Sequence, residues 1–255
     1  MPAIRTPALD MINLPFSSEE FLEVFARYND AVWPMQWVLT GAALVCVGLL
    51  FCTRPWASRL ISLLLAGLWL WMALAYHLAL FSEINPAAWW FGILFLLGAV
   101  AFDWFGVIND RLRFKAELDA WTVAGAFLLI FALVIYPMIG YGAGRRYPAV
   151  PSFGLPCPTT IFTIGLLLFA QAPAPRGVFV VPVSWSVIGA LAAFRLDMAE
   201  DLGLLGAGAA GVAAMLWLHR PTDHTLRTNA PRKMRYRQEV GHAPGDGPNR
   251  QARGY

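Results

Sequence analysis

Apolar residues along this chain gather in long runs, separated by short polar connectors rich in Pro, Asn and Arg. A hydrocarbon core of about 30 Å is crossed by about 20 apolar residues in helical form. On that measure seven segments predict spanning helices: Ala31–Cys52, Leu60–Phe81, Ala87–Phe105, Ala120–Ile139, Thr159–Ala172, Gly177–Phe194 and Leu202–Leu218. The fifth is the shortest and reaches only about 21 Å at helical rise, so a re-entrant segment is its alternative reading.

Ahead of the first run lies FSSEEFLEVFARYND, which has a different period. Ser17 and Glu20 have capping-box spacing, and Phe16 and Phe21 have the spacing of a hydrophobic staple. Phe21, Phe25, Tyr28 and Val32 then recur on one helical stripe. The pattern predicts a short amphipathic helix, either packed on the rim of the bundle or resting as a lid over its mouth. After Leu218 the chain is polar, rich in Pro and Gly and without periodicity, which predicts disorder. The expected architecture is therefore an all-α, polytopic membrane helix bundle of seven spans with an amino-terminal amphipathic interfacial helix. Residues 1–30 form an extracytoplasmic segment, 31–218 the membrane domain and 219–255 a basic tail.

Composition agrees with lipid as the main solvent. Apolar residues make up 58% of the chain and charged residues 14%, against about 25% charged in soluble domains. Charge also orients the bundle. With seven spans, one side receives five Lys/Arg and the other, which includes the tail, fourteen. Positive charge stays in the cytoplasm, so the amino terminus is expected outside and the carboxy terminus inside a cell inner (cytoplasmic) membrane. The start of the chain lacks the uninterrupted apolar region of a cleaved signal, so the first span is the expected insertion signal. The tail's eight Lys/Arg against three acids read as a topology signal beside lipid headgroups, and no nucleic-acid partner is expected.

Small residues mark the last span, where Gly203, Ala207 and Gly211 recur four apart. That spacing permits close helix approach, within the chain or between copies in a homo-oligomer. Trp33, Trp37, Trp56, Trp89, Trp90, Trp104 and Trp121 fall near span ends, as an aromatic belt requires, whereas Trp69, Trp71 and Trp185 are expected inside. Cys46 and Cys52 sit about 9 Å apart along one helix, too far for a disulfide. With Cys157 on another segment, three free thiols are expected.

Candidate chemistry lies in the connectors on the outer side. In PSFGLPCPTTIFT, Pro158 suits the first helical position, which makes Cys157 the cap residue beside free N–H groups. Thr159 and Thr160 add hydroxyls; the plainer reading is a rigid loop with a buried thiol. In AYHLALFSEINPAAWW, His77 lies within membrane depth, where ionisable residues are costly, and Glu83 and Asn85 follow in a turn. RLDMAEDLG places Arg195, Asp197, Glu200 and Asp201 on the same side as Arg145 and Arg146, to pair with them or to line a charged vestibule. Asp103, near the cytoplasmic end of the third span, is a possible ion or proton station.

No phosphate-binding glycine loop, HExxH, CxxC or GxSxG occurs, and neither a metal centre nor a cofactor is expected. The leading expectation is binding or passage of a small polar solute or ion through an outward-facing polar recess. His77, Glu83, Asn85, Arg145, Arg146, Cys157, Thr159 and Thr160 would line it. The alternatives are a membrane scaffold or sensor, and a thiol- or metal-dependent enzyme at Cys157.

The stretches LPFSSEEFLEVFARYNDAVWP, YHLALFSEINPAA, YPAVPSFGLPCPTTIFTIGLL and VPVSWSVIGALAAF, followed by EDLGLL, resemble an uncharacterised family of bacterial multi-pass membrane proteins. The resemblance runs from about Leu14 to Leu218 and implies the fold. It brings no activity with it.

Overall fold

A computed structural model describes residues 15–217. The tail assigned to 219–255 lies outside them, as does most of the segment before Phe16.

Helix α1 spans Ser18–Ala31 and starts as its sequence predicts. The Ser17 hydroxyl accepts from the Glu20 N–H at 3.2 Å, and the Glu20 carboxylate accepts from the Ser17 N–H at 2.7 Å. That backbone bond, helped by the serine hydroxyl, holds the Glu20 carboxyl below its ordinary value. Phe16 stacks on Phe21 with ring centroids 5.8 Å apart, which completes the staple. Beyond Ala31 the axis turns by 88° into α2, Met35–Leu49. The run Ala31–Cys52 is thus no single straight span.

Five further helices are long and apolar: α3, Pro55–Glu83; α4, Ala88–Ile108; α5, Ala120–Gly142; α7, Gly177–Leu196; and α8, Ala199–Trp217. Among the described residues these five have the length and hydropathy to cross a membrane, and six do if α1 and α2 count as one broken span. Of the seven expected spans, five to six meet this measure. Exposed side chains such as Val100, Phe127, Val187 and Leu216 cover the outer surface. That surface is compatible with a multi-pass membrane protein.

The departure is α6, Pro156–Leu167, whose twelve residues are all buried. It reaches about 18 Å at helical rise. Helices α5, α7 and α8 pack against it, and α3 reaches it through Trp69, whose indole N–H donates to Thr163 Oγ1 at 3.1 Å. At Gly125 and Gly165 the α5 and α6 backbones come so close that a methyl group on either would meet the other's carbonyl oxygen. Irregular backbone completes what α6 leaves short. Past Leu167 the chain meets segment 110–116, with Lys115 N–H on Phe169 O at 3.0 Å and Gln171 N–H on Arg113 O at 2.8 Å. Buried non-helical backbone of this sort is tolerated where protein supplies its hydrogen bonds.

The bundle therefore has two distinct ends. The lid end carries α1 and the connectors around 84–87, 143–155 and 197–198. The far end carries 50–54, 109–119 and 171–176. There Asp110, at φ +53°, draws Arg59 (3.0 Å) and Arg113 together. Chiefly through the Arg59 hydrogen bond, its carboxyl is held below the ordinary aspartate range. Leu112 and Phe114 are buried beneath this clamp.

The small-residue stripe of α8 faces inward. A methyl on Gly203 would strike Phe131 and Ile161, one on Gly211 would meet Val183 and Ile164, and Ala207 is fully buried. Its close approach is made within the chain. Cys46, Cys52 and Cys157 are free thiols. Trp69 and Trp185 are buried and Trp71 half-buried, while Trp33, Trp37, Trp56, Trp89, Trp90 and Trp104 are exposed.

Candidate functional site

The apolar stripe of α1 lies across the helix ends. Phe21, Val24, Phe25 and Tyr28 pack on Tyr76 and Phe81 of α3, Ala88 of α4, Leu155, and Leu196 of α7. Packed there, α1 also contributes Phe21 and Phe25 to the wall of a cavity, and it is called the lid below. Its carboxy-terminal end is stitched to the long connector. Asn29, fully buried, donates to the carbonyls of Pro148 (2.6 Å) and Val150 (2.9 Å) and accepts from Ser152 Oγ (2.6 Å). Tyr28 Oη donates to Gly154 O at 3.3 Å and accepts from the Trp71 indole at 2.7 Å. Gly154 sits at φ +100° with Leu39 where a side chain would go, so only glycine suits that corner. On the outer surface an exposed ion pair, Arg27 to Glu83 at 2.6 Å, ties the lid to the end of α3.

Beneath the lid is a cavity of about 210 Å³. Rings of Phe16, Phe21, Phe81, Phe91 and Trp185 form much of its wall, with Ile188 and Leu191 of α7 on one flank. Polar groups enter at a few points. Cys157, in the first turn of α6, faces the Asp201 carboxylate and the Trp185 indole. Asp201 accepts a short hydrogen bond from the Tyr136 hydroxyl. Arg195 lines the same space, and its Nε and one terminal nitrogen are buried without a hydrogen-bond partner. The Trp185 N–H is likewise unpartnered. Behind this cluster Glu200, fully buried, pairs with Arg145.

Two helical irregularities set up this arrangement. A π-helical turn over Met72–Leu78 carries Tyr76 and His77, and another over Phe131–Ile135 ends just before Tyr136. Each widened turn shifts the helix phase. A strict 3.6-residue period does not place these side chains.

Of the eight residues expected to line a recess, two do: Asn85 and Cys157. His77 is fully buried in an aromatic box, with Phe95 at 4.5 Å and Trp185 at 5.1 Å between ring centroids, and neither ring nitrogen has a partner. Trp185 lines the cavity; His77 does not. Glu83 is taken by Arg27, Arg145 by Glu200, and Arg146 lies exposed over the Tyr141 ring. Thr159 Oγ1 accepts from the Gly154 N–H at 3.2 Å, and Thr160 is buried with its hydroxyl unpartnered.

The cap assignment is corrected as well. Leu155 is the cap residue and Pro156 opens α6, because the first turn tolerates prolines at both 156 and 158 without losing a helical hydrogen bond. The recess is apolar rather than polar. Asp103 lies toward the other end and makes no ion pair among the described residues. Also among the described residues, no three His, Cys, Asp or Glu side chains gather around a point that suits a metal.

The chain matches the family of unknown function DUF6064 over residues 18–225. It belongs to that family. No curated protein and no solved structure matches it. The match takes in the eight helices described above for this DUF6064 chain, and with them both ends of the bundle and the cavity wall apart from Phe16. The sequence pattern puts Arg195 and Asp201 among charges that pair across the connectors or line a charged vestibule, and Trp185 in the interior. Tyr136 went unnoticed, since a lone tyrosine before a proline in an apolar run carries no charge signal.

Proposed function

We propose that this protein binds a small molecule in the lidded cavity, and that it holds this ligand rather than passing it across the bundle. The observation that carries the reading is a cavity covered by an amphipathic helix set at 88° to the next, where unpartnered donors from Arg195 and Trp185 enter a largely apolar space. Buried polar groups without partners are costly in a folded protein, and a ligand that meets them recovers that cost. Translocation has less support. Trp69, Phe95, Phe102 and Phe162 are buried apolar side chains within the bundle, and Leu112 and Phe114 are buried toward the far end, which is where Asp103 lies.

The bundle crosses a cytoplasmic membrane in this reading, with the lid end extracytoplasmic, as the Lys/Arg distribution favours. Helix α6 makes the seventh crossing. Its two ends meet connectors of opposite ends of the bundle, and the irregular backbone around it completes the thickness. Thiol catalysis has weaker support: Cys157 does face the Asp201 carboxylate, but that carboxylate already accepts from the Tyr136 hydroxyl, and His77 lies outside the cavity wall. A scaffold that docks through α8 has none, since the Gly/Ala stripe is already packed.

The test is thiol labelling in intact cells that express a Cys46→Ala, Cys52→Ser protein, whose remaining thiol is Cys157. A membrane-impermeant maleimide should react slowly, and roughly tenfold faster once Phe21→Ala or Arg27→Glu loosens the lid, as local opening controls access. Labelling that requires permeabilised cells would reverse the orientation. A rate indifferent to both lid variants would remove the lid and the binding chamber with it.

A further inference from the structure

We infer that the ligand is an anionic amphiphile: a compact apolar body held among the aromatic rings, with a carboxylate or phosphate head on Arg195. This rests on the chamber proposed above and names the chemistry of its occupant.

Charge pairing comes first. Arg27, Arg59, Arg113 and Arg145 each meet an acid, on Glu83, Asp110, Asp110 and Glu200. Arg195 meets none among the described residues, although two of its nitrogens are buried. Asp201, the acid in the cavity wall, already has the Tyr136 hydroxyl, and Glu200, which is not part of that wall, has Arg145 on one of its oxygens. Of the charged groups that line the cavity, the one left wanting is therefore a cation. A guanidinium is a planar fork of N–H donors that fits the oxygens of a carboxylate or phosphate, and it cannot discharge itself by losing a proton.

Shape comes second. Arg195 and Trp185 both lie on α7 and both line the cavity, ten residues and about 15 Å apart along the axis. Between them Gly189 also lines the cavity, packed closely against Leu204. A methyl there would strike Leu204 and come within 3.6 Å of Trp185 Nε1 and 3.7 Å of Cys157 Sγ. The space is thus elongated, with a charged end toward the helix terminus and an apolar depth that ends at the indole and the thiol. A cavity of about 210 Å³ falls below the ~300–1,000 Å³ usual for drug-sized ligands, which suits a short chain or a single ring.

Access comes third. Leu191, exposed on the outside of α7, is also a wall residue, and Ile188 and Ala192 beside it are half-buried. The mouth therefore opens along an apolar flank. A molecule dissolved in lipid, with its head at the interface, would enter there. The head belongs either to a free amphiphile or to a membrane phospholipid; both present the same anion on an apolar stem.

The experiment uses the full chain in phosphatidylcholine nanodiscs, in the Cys46→Ala, Cys52→Ser background, and reads the rate of Cys157 alkylation by N-ethylmaleimide. Octanoate, octanol and octylamine share one tail and differ in the head. Octanoate should slow the reaction about tenfold, the others by less than about twofold, in keeping with a charge-assisted bidentate contact. Arg195→Gln should remove the octanoate effect, and Arg195→Lys should keep part of it. Discs that contain phosphatidylglycerol separate the sources. Protection without added octanoate assigns the head to lipid, whereas protection that needs octanoate assigns it to a free amphiphile, and either supports the inference. Equal protection by all three probes, or an octanoate effect that survives in Arg195→Gln, overturns the anionic head and leaves the chamber standing. Absence of protection by any probe also overturns it, and the Phe21→Ala labelling rate then decides whether the chamber survives. If Arg195→Gln fails to fold, as thermal melting would reveal, the three heads compared on the unaltered Arg195 still decide the matter.

Discussion

The two ends of this bundle handle buried polarity in opposite ways. At the far end charges meet near the surface: Asp110 gathers Arg59 and Arg113, and the backbone of 110–116 is hydrogen-bonded to 169–171. At the lid end polar side chains are drawn inside and several are left unanswered. Seven described residues have a buried side-chain polar atom without a partner, and six of them, Gln36, His77, Thr160, Trp185, Arg195 and Glu200, lie toward the lid. Such groups cost stability unless something meets them. The far end is thus a structural closure, whereas the lid end keeps an expense that structure alone does not require. That asymmetry is why the site is placed there.

The largest expected effect tests whether the lid end is the truly buried one. Glu200→Ala strands Arg145 in a dry environment and should lower unfolding free energy by about 3 kcal/mol, read by chemical unfolding in mixed micelles. The double variant Arg145→Met, Glu200→Leu should recover most of that loss. If Glu200→Ala proves as mild as a surface change, the contrast between the ends collapses.

Next comes the hinge of the lid. Asn29→Ala removes the side chain that holds the Pro148 and Val150 carbonyls. It should cost about 2 kcal/mol, because those acceptors are left buried, and should quicken Cys157 alkylation. A stability loss without faster alkylation would confine Asn29 to holding the connector.

A smaller effect is expected at the far end. Asp110→Asn should cost less than about 1 kcal/mol, since Asp110 and its partners are partly solvated. The folded-state carboxyl lies below its ordinary value, so its contribution is complete above the unfolded value of about 3.9 and fades as pH falls through the lower folded one. Melting curves of the parent and the variant should stand apart at neutral pH and converge only well below that unfolded value. Convergence at neutral pH would mean that the clamp does not hold the loop.

The smallest change in stability belongs to the lid's outer ion pair. Arg27→Gln should leave the melting temperature where it was, because both partners are exposed. Cys157 should nevertheless react faster, and high salt should have the same effect on the parent chain. A salt-independent labelling rate would take the latch out of the lid mechanism.

Much of the architecture could be read from short-range rules. The capping box at Ser17 and Glu20, the staple of Phe16 on Phe21, and the long apolar helices depend on neighbours within one or two turns. Those neighbours are adjacent in the sequence. The cavity was legible only in part. Cys157 and Asn85 stood out because thiols and amides are rare in apolar runs, but His77 and Glu83 stood out for the same reason and do not line it. Rarity marks a residue without saying which way it faces. Tyr136 is reached through a widened turn, and an apolar period does not reveal the phase shift.

What the chain determines by itself is its apolar character and its segmentation. Runs of apolar residues, capped or broken by Pro, Asn and Gly, become helices wherever they sit, since hydrogen bonding and burial act along each run separately. Tertiary structure alone decided that α6 is too short to stand without its connectors and lies wholly inside, and that α1 folds back at 88° to roof the cavity. It also left Arg195 without an acid while its neighbours were paired. These outcomes depend on which surfaces meet across more than a hundred residues, as Tyr28 meets Gly154. Packing settles such encounters, and no local pattern encodes them.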